Sequence, residues 1–320
     1  MLQEAVKRHL IWIAIFLILL ILPFFIGTYL QHIMIFIFFY AYLSQCWNIL
    51  SGYTGQFSLG NAAFFGLGAY TSSVLFYYFN LSPWIGMFIG AFVALAIGLF
   101  IGYVSFHFGL KEAFFALATL AFAEILRIMF LNMPVMGGAQ GILIPLKGDA
   151  PLLFQFDGKI PFYYISFIMM VSSTIIVYII ERSKIGYYFK AIHQNEESAE
   201  ALGVNARKYK IYATGISAFL TAFGGTFYAQ YFMYIDPNLT FGPSVSFDIM
   251  LRSIIGGVGT LAGPIIGSFI LTPLGEITRE IFGATSGIHM MAYGAILILV
   301  CLFMPRGVYP WFRQRFSKSS

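Results

Sequence analysis

The sequence predicts an all-α, polytopic membrane protein: a helical bundle of about eight to ten spans with broken or re-entrant helices. Three observations predict it. Of 320 residues, 59% are hydrophobic and only 10% charged, against about 25% charged in an average soluble domain. No Asp, Glu, Lys or Arg occurs in residues 9–110, room for four spans at about 20 apolar residues each. Glycine-rich segments, rather than charged ones, interrupt some of the apolar runs, as happens where membrane helices break.

In chain order, spans are expected near Leu10–Gly27, His32–Leu50, Asn61–Phe79, Trp84–Phe106, Ala113–Leu131, Pro161–Ile180 and Ile211–Met233. Two shorter pieces follow, near Asp248–Gly257 and Pro264–Ile281, and a last span at Ile288–Met304. Lys7, Arg8 and the apolar run from Leu10 imitate a signal peptide, but without an A-x-A-like site they read as an uncleaved first span. With the N-terminus inside and ten crossings, 13 of the 18 Lys and Arg fall inside, including Lys111, Arg182, Lys184, Lys190, Arg207, Lys208 and Lys210. Only Lys147 and Lys159 fall outside, so the positive-inside bias predicts both termini in the cytoplasm. An eight-span version, with the two short pieces re-entrant, fits nearly as well. One transmembrane domain over 1–320 is expected, with a cytoplasmic loop at 182–210 and an extracytoplasmic loop at 132–160. The outer loop reads equally as a lid or a connector. A net charge of +5 sits where a membrane protein needs it and does not point to nucleic acid.

The only long polar segment is 183–210. Within it, Asn195 to Gly203 reads as a short helix: Asn195 as N-cap, Glu196, Glu197 and Glu200 toward the positive end of the dipole, and Gly203 as the left-handed terminator. A docking helix for a soluble partner is one reading, and on local features alone a solvated loop is the stronger one.

Two glycine-rich stretches are candidate helix breaks: Gly52-Tyr53-Thr54-Gly55-Gln56-Phe57-Ser58-Leu59-Gly60-Asn61, and Gly256-Gly257-Val258-Gly259-Thr260-Leu261-Ala262-Gly263-Pro264. Broken helices expose backbone groups to polar substrates, while small residues also serve close helix packing. Gln56, Ser58 and Asn61 favour the first role in the first stretch, and the second stretch leaves both open. Gly52 and Gly55 align with Gly256 and Gly259, although the match fails beyond them. Glu124 and Arg127 share a helix face at i and i+3 near the outer end of their span. They form a self-neutralising pair and a candidate for transport. Asp248 with Arg252, and Glu276 with Arg279 and Glu280, read as interfacial pairs or helix-end anchors. Cys46, Cys301, His32, His107 and His289 read as packing residues.

No phosphate-binding G-x-x-x-x-G-K-[ST] loop, H-E-x-x-H motif, Cys/His cluster or G-x-S-x-G elbow occurs. No catalytic or metal site is expected, and energy for any transport would come from another subunit.

The run Gly52 to Gly66 resembles the early signature of LivM-type permeases, membrane subunits of ABC importers for branched-chain amino acids. Asn61 stands where that family usually has His. Phe114 to Arg127 is similar to the family's fifth-span segment. Gly137-Gly138-Ala139-Gln140-Gly141 resembles its T-G-G-x-x-G-L loop, with Met136 for Thr and Ile142 for Leu. Glu197-Ser198-Ala199-Glu200-Ala201-Leu202-Gly203 resembles the segment permeases insert into their ATPase, and Gly256 to Gly267 and Pro305-Arg306-Gly307 also match. The resemblance implies coupling to an ATPase through Glu197, Ala199, Glu200, Ala201 and Gly203. The glycine breaks and the intramembrane pair together make Gly52, Gly55, Gln56, Ser58, Asn61, Glu124, Arg127, Gly256, Gly257 and Gly259 the candidate translocation pathway. The resemblance also implies a multi-pass protein of a prokaryotic inner membrane, partnered by a LivH-like second permease, two P-loop ATPases that bind ATP and Mg, and an extracytoplasmic binding protein. Urea or short-chain amides are alternative substrates. A self-sufficient secondary transporter, with Glu124 as its ion site, is the alternative class.

Overall fold

A computed structural model describes residues 18–282 and 307–317, with Met291, Gly294, Ile298, Leu302 and Met304 between them. Residues 10–17 of the expected first span and most of Ile288–Met304 lie outside the described residues, as do Lys7, Arg8, His289, Cys301, Pro305, Arg306 and Lys318.

The long apolar runs form helices because only a helix satisfies its own backbone in hydrocarbon. They are α1 (Thr28–Thr54), α2 (Asn61–Phe79), α3 (Pro83–His107), α4 (Glu112–Leu131) and α5 (Ile160–Arg182). Two short helices follow, α6 (Lys184–Gln194) and α7 (Glu196–Ala201). Then come the long α8 (Ala206–Phe232), the short α9 (Pro237–Phe241), α10 (Pro243–Gly256), α11 (Gly263–Phe282) and the terminal α12 (Val308–Ser317). Four of these (α1, α3, α4 from Ala113, and α5) are long and apolar enough to cross a membrane by composition alone.

α8 falls below that composition because it is the central, small-residue helix. Ala213, Ala218, Ala222, Gly224 and Gly225 are buried along it, and α2 and α3 close onto it. A Cβ at Gly68 of α2 would overlap the Ala222 carbonyl, and one at Gly225 would overlap the Phe65 carbonyl. Small residues let membrane helices approach to backbone contact, where dispersion and interhelical hydrogen bonds supply the attraction that lipid does not. α1 packs against α5, α8, α10 and α11 on the other side. Tyr42 donates to the Leu220 carbonyl (2.5 Å) and Ser217 to the Cys46 carbonyl (2.8 Å), tying α1 to α8.

One end of the bundle is basic: Lys111, Arg182, Lys184, Lys190, Arg207, Lys208 and Lys210 gather there around α6 and α7. At the opposite end, residues 132–159 form a packed cap rather than a bare connector. A two-residue strand β1 (Ile142–Leu143) pairs antiparallel with β2 (Tyr234–Ile235). Phe154 is fully buried and stacks on Trp84 at 4.1 Å. Lys147 Nζ donates to Asn80 Oδ1 at 2.7 Å.

The two short pieces at the chain's C-terminal side were expected to cross or to re-enter. The chain leaves β2 at the cap end and reaches the basic end of α1, where Gly259 N donates to Asn48 Oδ1. It then returns through α11 to the cap end, where Tyr29 donates to Glu280. It runs the length of the bundle and back. The first pass is made in two pieces, because Gly242 precedes Pro243 and a residue before proline is held extended; Gly242 sits at φ −62, ψ 146. α10 alone, at 14 residues, spans only about 21 Å at 1.5 Å per residue.

A Gly225→Val substitution should overpack the α2–α8 contact. Overpacking costs about 1–3 kcal/mol, read as a lowered thermal midpoint and loss of the monodisperse peak in detergent. Gly27→Ala, where a Cβ meets nothing within 4 Å, should match the parent in both measurements.

Candidate functional site

The first glycine stretch is a helix break, displaced from where its sequence begins. Gly52 lies inside α1, which continues to Thr54. The break starts at Gly55, whose φ of +73 favours glycine. Residues 55–60 are non-helical and climb back into the bundle, with Gln56, Ser58 and Asn61 all buried. Non-helical backbone at this depth needs partners, and side chains provide them. Trp47 Nε1 donates to the Ser58 carbonyl at 2.8 Å and Ser58 N to Ser51 Oγ at 3.1 Å. Leu59 N donates to Thr119 Oγ1 at 3.1 Å, and Ala62 N to Ser246 Oγ at 2.9 Å. Gln56 Oε1 and Asn61 Nδ2 are buried with no hydrogen-bond partner among the described residues.

The second glycine stretch packs against the first. Asn48, one turn before Gly52, holds it at two points: Oδ1 accepts from Gly259 N (2.8 Å), and Nδ2 donates to the Thr260 carbonyl (3.0 Å). Gln45 Nε2 donates to the Leu261 carbonyl at 2.6 Å. A Cβ on Gly52 would collide with Gly259 N, so both residues must be small for the two backbones to meet. Gly259 sits at φ +71, close to the +73 of its aligned partner Gly55. Gly256 and Gly257 close the α10–α11 turn, with Gly256 against the Gly263 carbonyl and Gly257 at φ +127 beside Pro310. The expected pathway residues Gly52, Gly55, Gly256, Gly257 and Gly259 are thus gathered at the basic end, and Gln56, Ser58 and Asn61 lie along the segment that climbs from there into the bundle.

Glu124 and Arg127 lie elsewhere, toward the cap end of α4. Arg127 grips Glu124 through Nε to Oε2 (2.8 Å) and Nη2 to Oε1 (2.5 Å), and its Nη1 donates to Asn238 Oδ1 at 2.6 Å. The pair therefore ties α4 to α9. Arg252 pairs with Asp248 as the spacing suggested, Nη1 to Oδ1 at 3.2 Å, but its own side chain is 6% exposed inside the bundle, so it is no exposed helix-end anchor.

The polar segment contains two helices where one was expected. Ser183 caps α6, its Oγ accepting from Gly186 N at 3.3 Å. Asn195 caps α7 as expected, Oδ1 accepting from Ser198 N at 2.8 Å, and Gly203 ends the turn at φ +87. Ala199 is buried on Ile192 and Ala206, whereas Glu197, Glu200, Ala201, Leu202 and Gly203 face outward. Several contacts attach this unit to the bundle, among them Lys190 Nζ to Glu181 Oε1 at 2.8 Å and Lys111 to Glu197 at 3.9 Å. Lys210, its side chain 3% exposed, pairs with Glu196 at 2.5 Å. His193 Nδ1 donates to the Gly52 carbonyl at 2.8 Å. An open cleft of about 760 Å³ lies between residues 54–57, Lys111 and residues 192–197. Sequence reasoning missed His193, Lys210 and Asn48: each looked like one polar residue among others, and each acquires its role from a partner distant in the chain or across a turn.

Glu196→Ala should leave Lys210 buried and unpaired, whereas Lys210→Met removes the buried charge itself. Breaking a buried pair from one side costs about 3–5 kcal/mol. With Glu196 26% exposed, about 2–3 kcal/mol is expected for Glu196→Ala and less for Lys210→Met. Thermal unfolding of the two variants in one detergent orders them.

Comparison with known proteins bears on what this arrangement serves. The chain is 26% identical to the high-affinity branched-chain amino acid transport system permease protein LivM of Escherichia coli K12, over 98% of this chain and 77% of that protein. It is 25% identical to the LivM of Salmonella typhimurium LT2, over 99% of this chain and 78% of that protein. The E. coli K12 permease protein LivH matches over 46% of this chain and 45% of its own length at 26% identity. No solved structure matches. The family described as "Branched-chain amino acid transport system / permease component" matches residues 29–301; the chain belongs to that family and is a multi-pass membrane permease component, not an enzyme.

Proposed function

We propose that the chain translocates branched-chain or related small hydrophobic amino acids through an inner membrane, as the permease subunit of an ATP-driven importer. The family assignment supplies the class of machine. The observation that carries the reading within this chain is the two-sided α7: its inner face is fixed by Ala199 and the Glu196–Lys210 pair, and its outer face is free.

In this reading Glu197, Glu200, Ala201 and Gly203 meet a groove of a P-loop ATPase, and Ala199 holds the helix on the bundle. Two ATPases bind ATP and Mg, a LivH-like permease completes the membrane unit, and a binding protein delivers substrate to the cap. Both termini and the 182–210 loop then face the cytoplasm. Movement of α7 reaches the membrane by a short rigid route, through α6 and His193 to the Gly52 carbonyl and from there to Asn48 and Gly259. Glu124, the ion site that a gradient-driven carrier would need, is already held by two of the three nitrogens of Arg127.

Glu200→Lys and Gly203→Leu should each uncouple the importer: ATP hydrolysis by the assembled complex persists, while amino acid uptake into proteoliposomes falls at least tenfold. The first reverses charge on the docking face, and the second strains a residue at φ +87. Normal uptake in both variants would remove α7 from the coupling path.

A further inference from the structure

An arginine in the middle of a membrane helix costs about 2.5–3.5 kcal/mol on insertion scales, and such residues face a protein interior or a cavity with a partner in place. Arg252 has several partners. Nη1 donates to the Asp248 carbonyl at 2.6 Å and to Asp248 Oδ1 at 3.2 Å, and Nε donates to Thr272 Oγ1 at 3.3 Å. The guanidinium carbon lies 3.5 Å from the centroid of the Tyr40 ring, a cation–π arrangement. These contacts fix the guanidinium on the wall of a cavity of about 450 Å³ bounded by α1, α2, α8, α9, α10 and α11. That volume is in the range of small-molecule sites, roughly 300–1,000 Å³.

The cavity has two chemically distinct walls. Phe36, Phe39, Leu43, Phe65, Phe232 and Leu271 supply an apolar wall, and His32, Asp248, Arg252, Thr272 and Glu276 a polar one. The Asp248 side chain is 41% exposed and lines the same space. Positive and negative groups opposite an aromatic wall are the complement of a zwitterion with an apolar side chain. The guanidinium fork suits a carboxylate, and the Asp248 carboxylate suits an ammonium. A simple anion would leave the carboxylates of Asp248 and Glu276 facing it with like charge, and a simple cation would offer nothing to the Arg252 fork. Arg252 and Asp248 already pair with each other at 3.2 Å, so a ligand lacking either charge forgoes one of two charge-assisted contacts rather than exposing an unpaired group.

We infer that this cavity is a binding site, carried by the permease itself, for a zwitterionic amino acid with an apolar side chain. The carboxylate meets Arg252, the ammonium meets Asp248, and the side chain lies against the phenyl rings. The inference rests on the permease reading for the identity of the ligand class, and assigns this chain a share of the selection that the binding protein would otherwise hold alone.

The test is thiol labelling at the cavity mouth in the intact importer, held in nanodiscs without binding protein or ATP. Ser244 is exposed and lines the cavity, and Cys46 is buried. Ser244→Cys in a Cys301→Ser background therefore reports occupancy without touching the Arg252–Asp248 pair. The probes are L-leucine, 3-methylbutylamine, which lacks the carboxylate, and 4-methylpentanoate, which lacks the ammonium. Leucine should slow labelling at least tenfold and the other two should not; adding Arg252→Gln or Asp248→Asn should abolish the protection. Equal protection by all three probes would make the cavity merely apolar and overturn the inference. Protection that follows the phosphatidylethanolamine content of the nanodisc instead of leucine would overturn it in favour of a lipid headgroup. No protection by leucine, with ATP-driven leucine uptake intact, would overturn the site and leave the permease reading standing. Protection by leucine without uptake would support the site and count against the transport reading.

Discussion

The two hydrogen bonds of Asn48 are the constraint around which the rest of the bundle is arranged. A membrane chain can leave the helical conformation only where other groups take over its backbone donors and acceptors. Among the described residues this chain does so after Thr54 and after Gly256, as well as at Gly242. Asn48 spends its carbonyl oxygen on Gly259 N and its amide on the Thr260 carbonyl, so one side chain on α1 satisfies the break between α10 and α11. Removing it would strand a donor and an acceptor together, each worth on the order of 1–3 kcal/mol when buried and unpaired. Gly52 and Gly259 follow from this geometry, since a side chain at either would push the backbones out of reach of Asn48.

The same junction is where α6 and α7 are attached. His193 reaches the Gly52 carbonyl, one of the last four of α1, which have no intrahelical donor, and Lys210 holds Glu196 against the basic end of α8. One attachment leads to the break, the other to the helix on which α2 and α3 pack. In the proposed coupling role a force on α7 would reach both the junction and the central helix. Asn195 and Ser183 cap α7 and α6, which supports two helices short enough to be marginal in isolation.

Much of this was legible in the sequence, for reasons that differ by scale. Spans were readable because length and hydrophobicity fix them, and Asn61–Phe79 falls on the same residues in both. The α7 caps were readable because Asn195 and Gly203 act on neighbours a few positions away. Helix α6 was not readable: Lys184 to Gln194 is polar at Lys184, Lys190, His193 and Gln194, and its apolar face (Phe189 and Ile192) appears only once it packs. Arg252 and Asp248 gave an i, i+4 signal that is the same on an exposed helix and inside a cavity. Asn48 and Gly259 are 211 residues apart, and no local pattern carries that pairing. The misread residues are thus those whose meaning is a distance between remote segments.

The cavity at Arg252 lies on the cap side of Asn48, and the cleft beside His193 lies on the basic side. Between them α1 is tied to α10 and to the α10–α11 turn by more than Asn48. Ser44 Oγ donates to the Ile249 carbonyl, Ser253 Oγ to the Ser44 carbonyl and Gln45 Nε2 to the Leu261 carbonyl. Each such bond is worth roughly 0.5–1.5 kcal/mol net. In the proposed permease role this polar seam is what a substrate would have to pass. Separating it exchanges a few hydrogen bonds, whereas a ring of large side chains would have to repack many contacts at once.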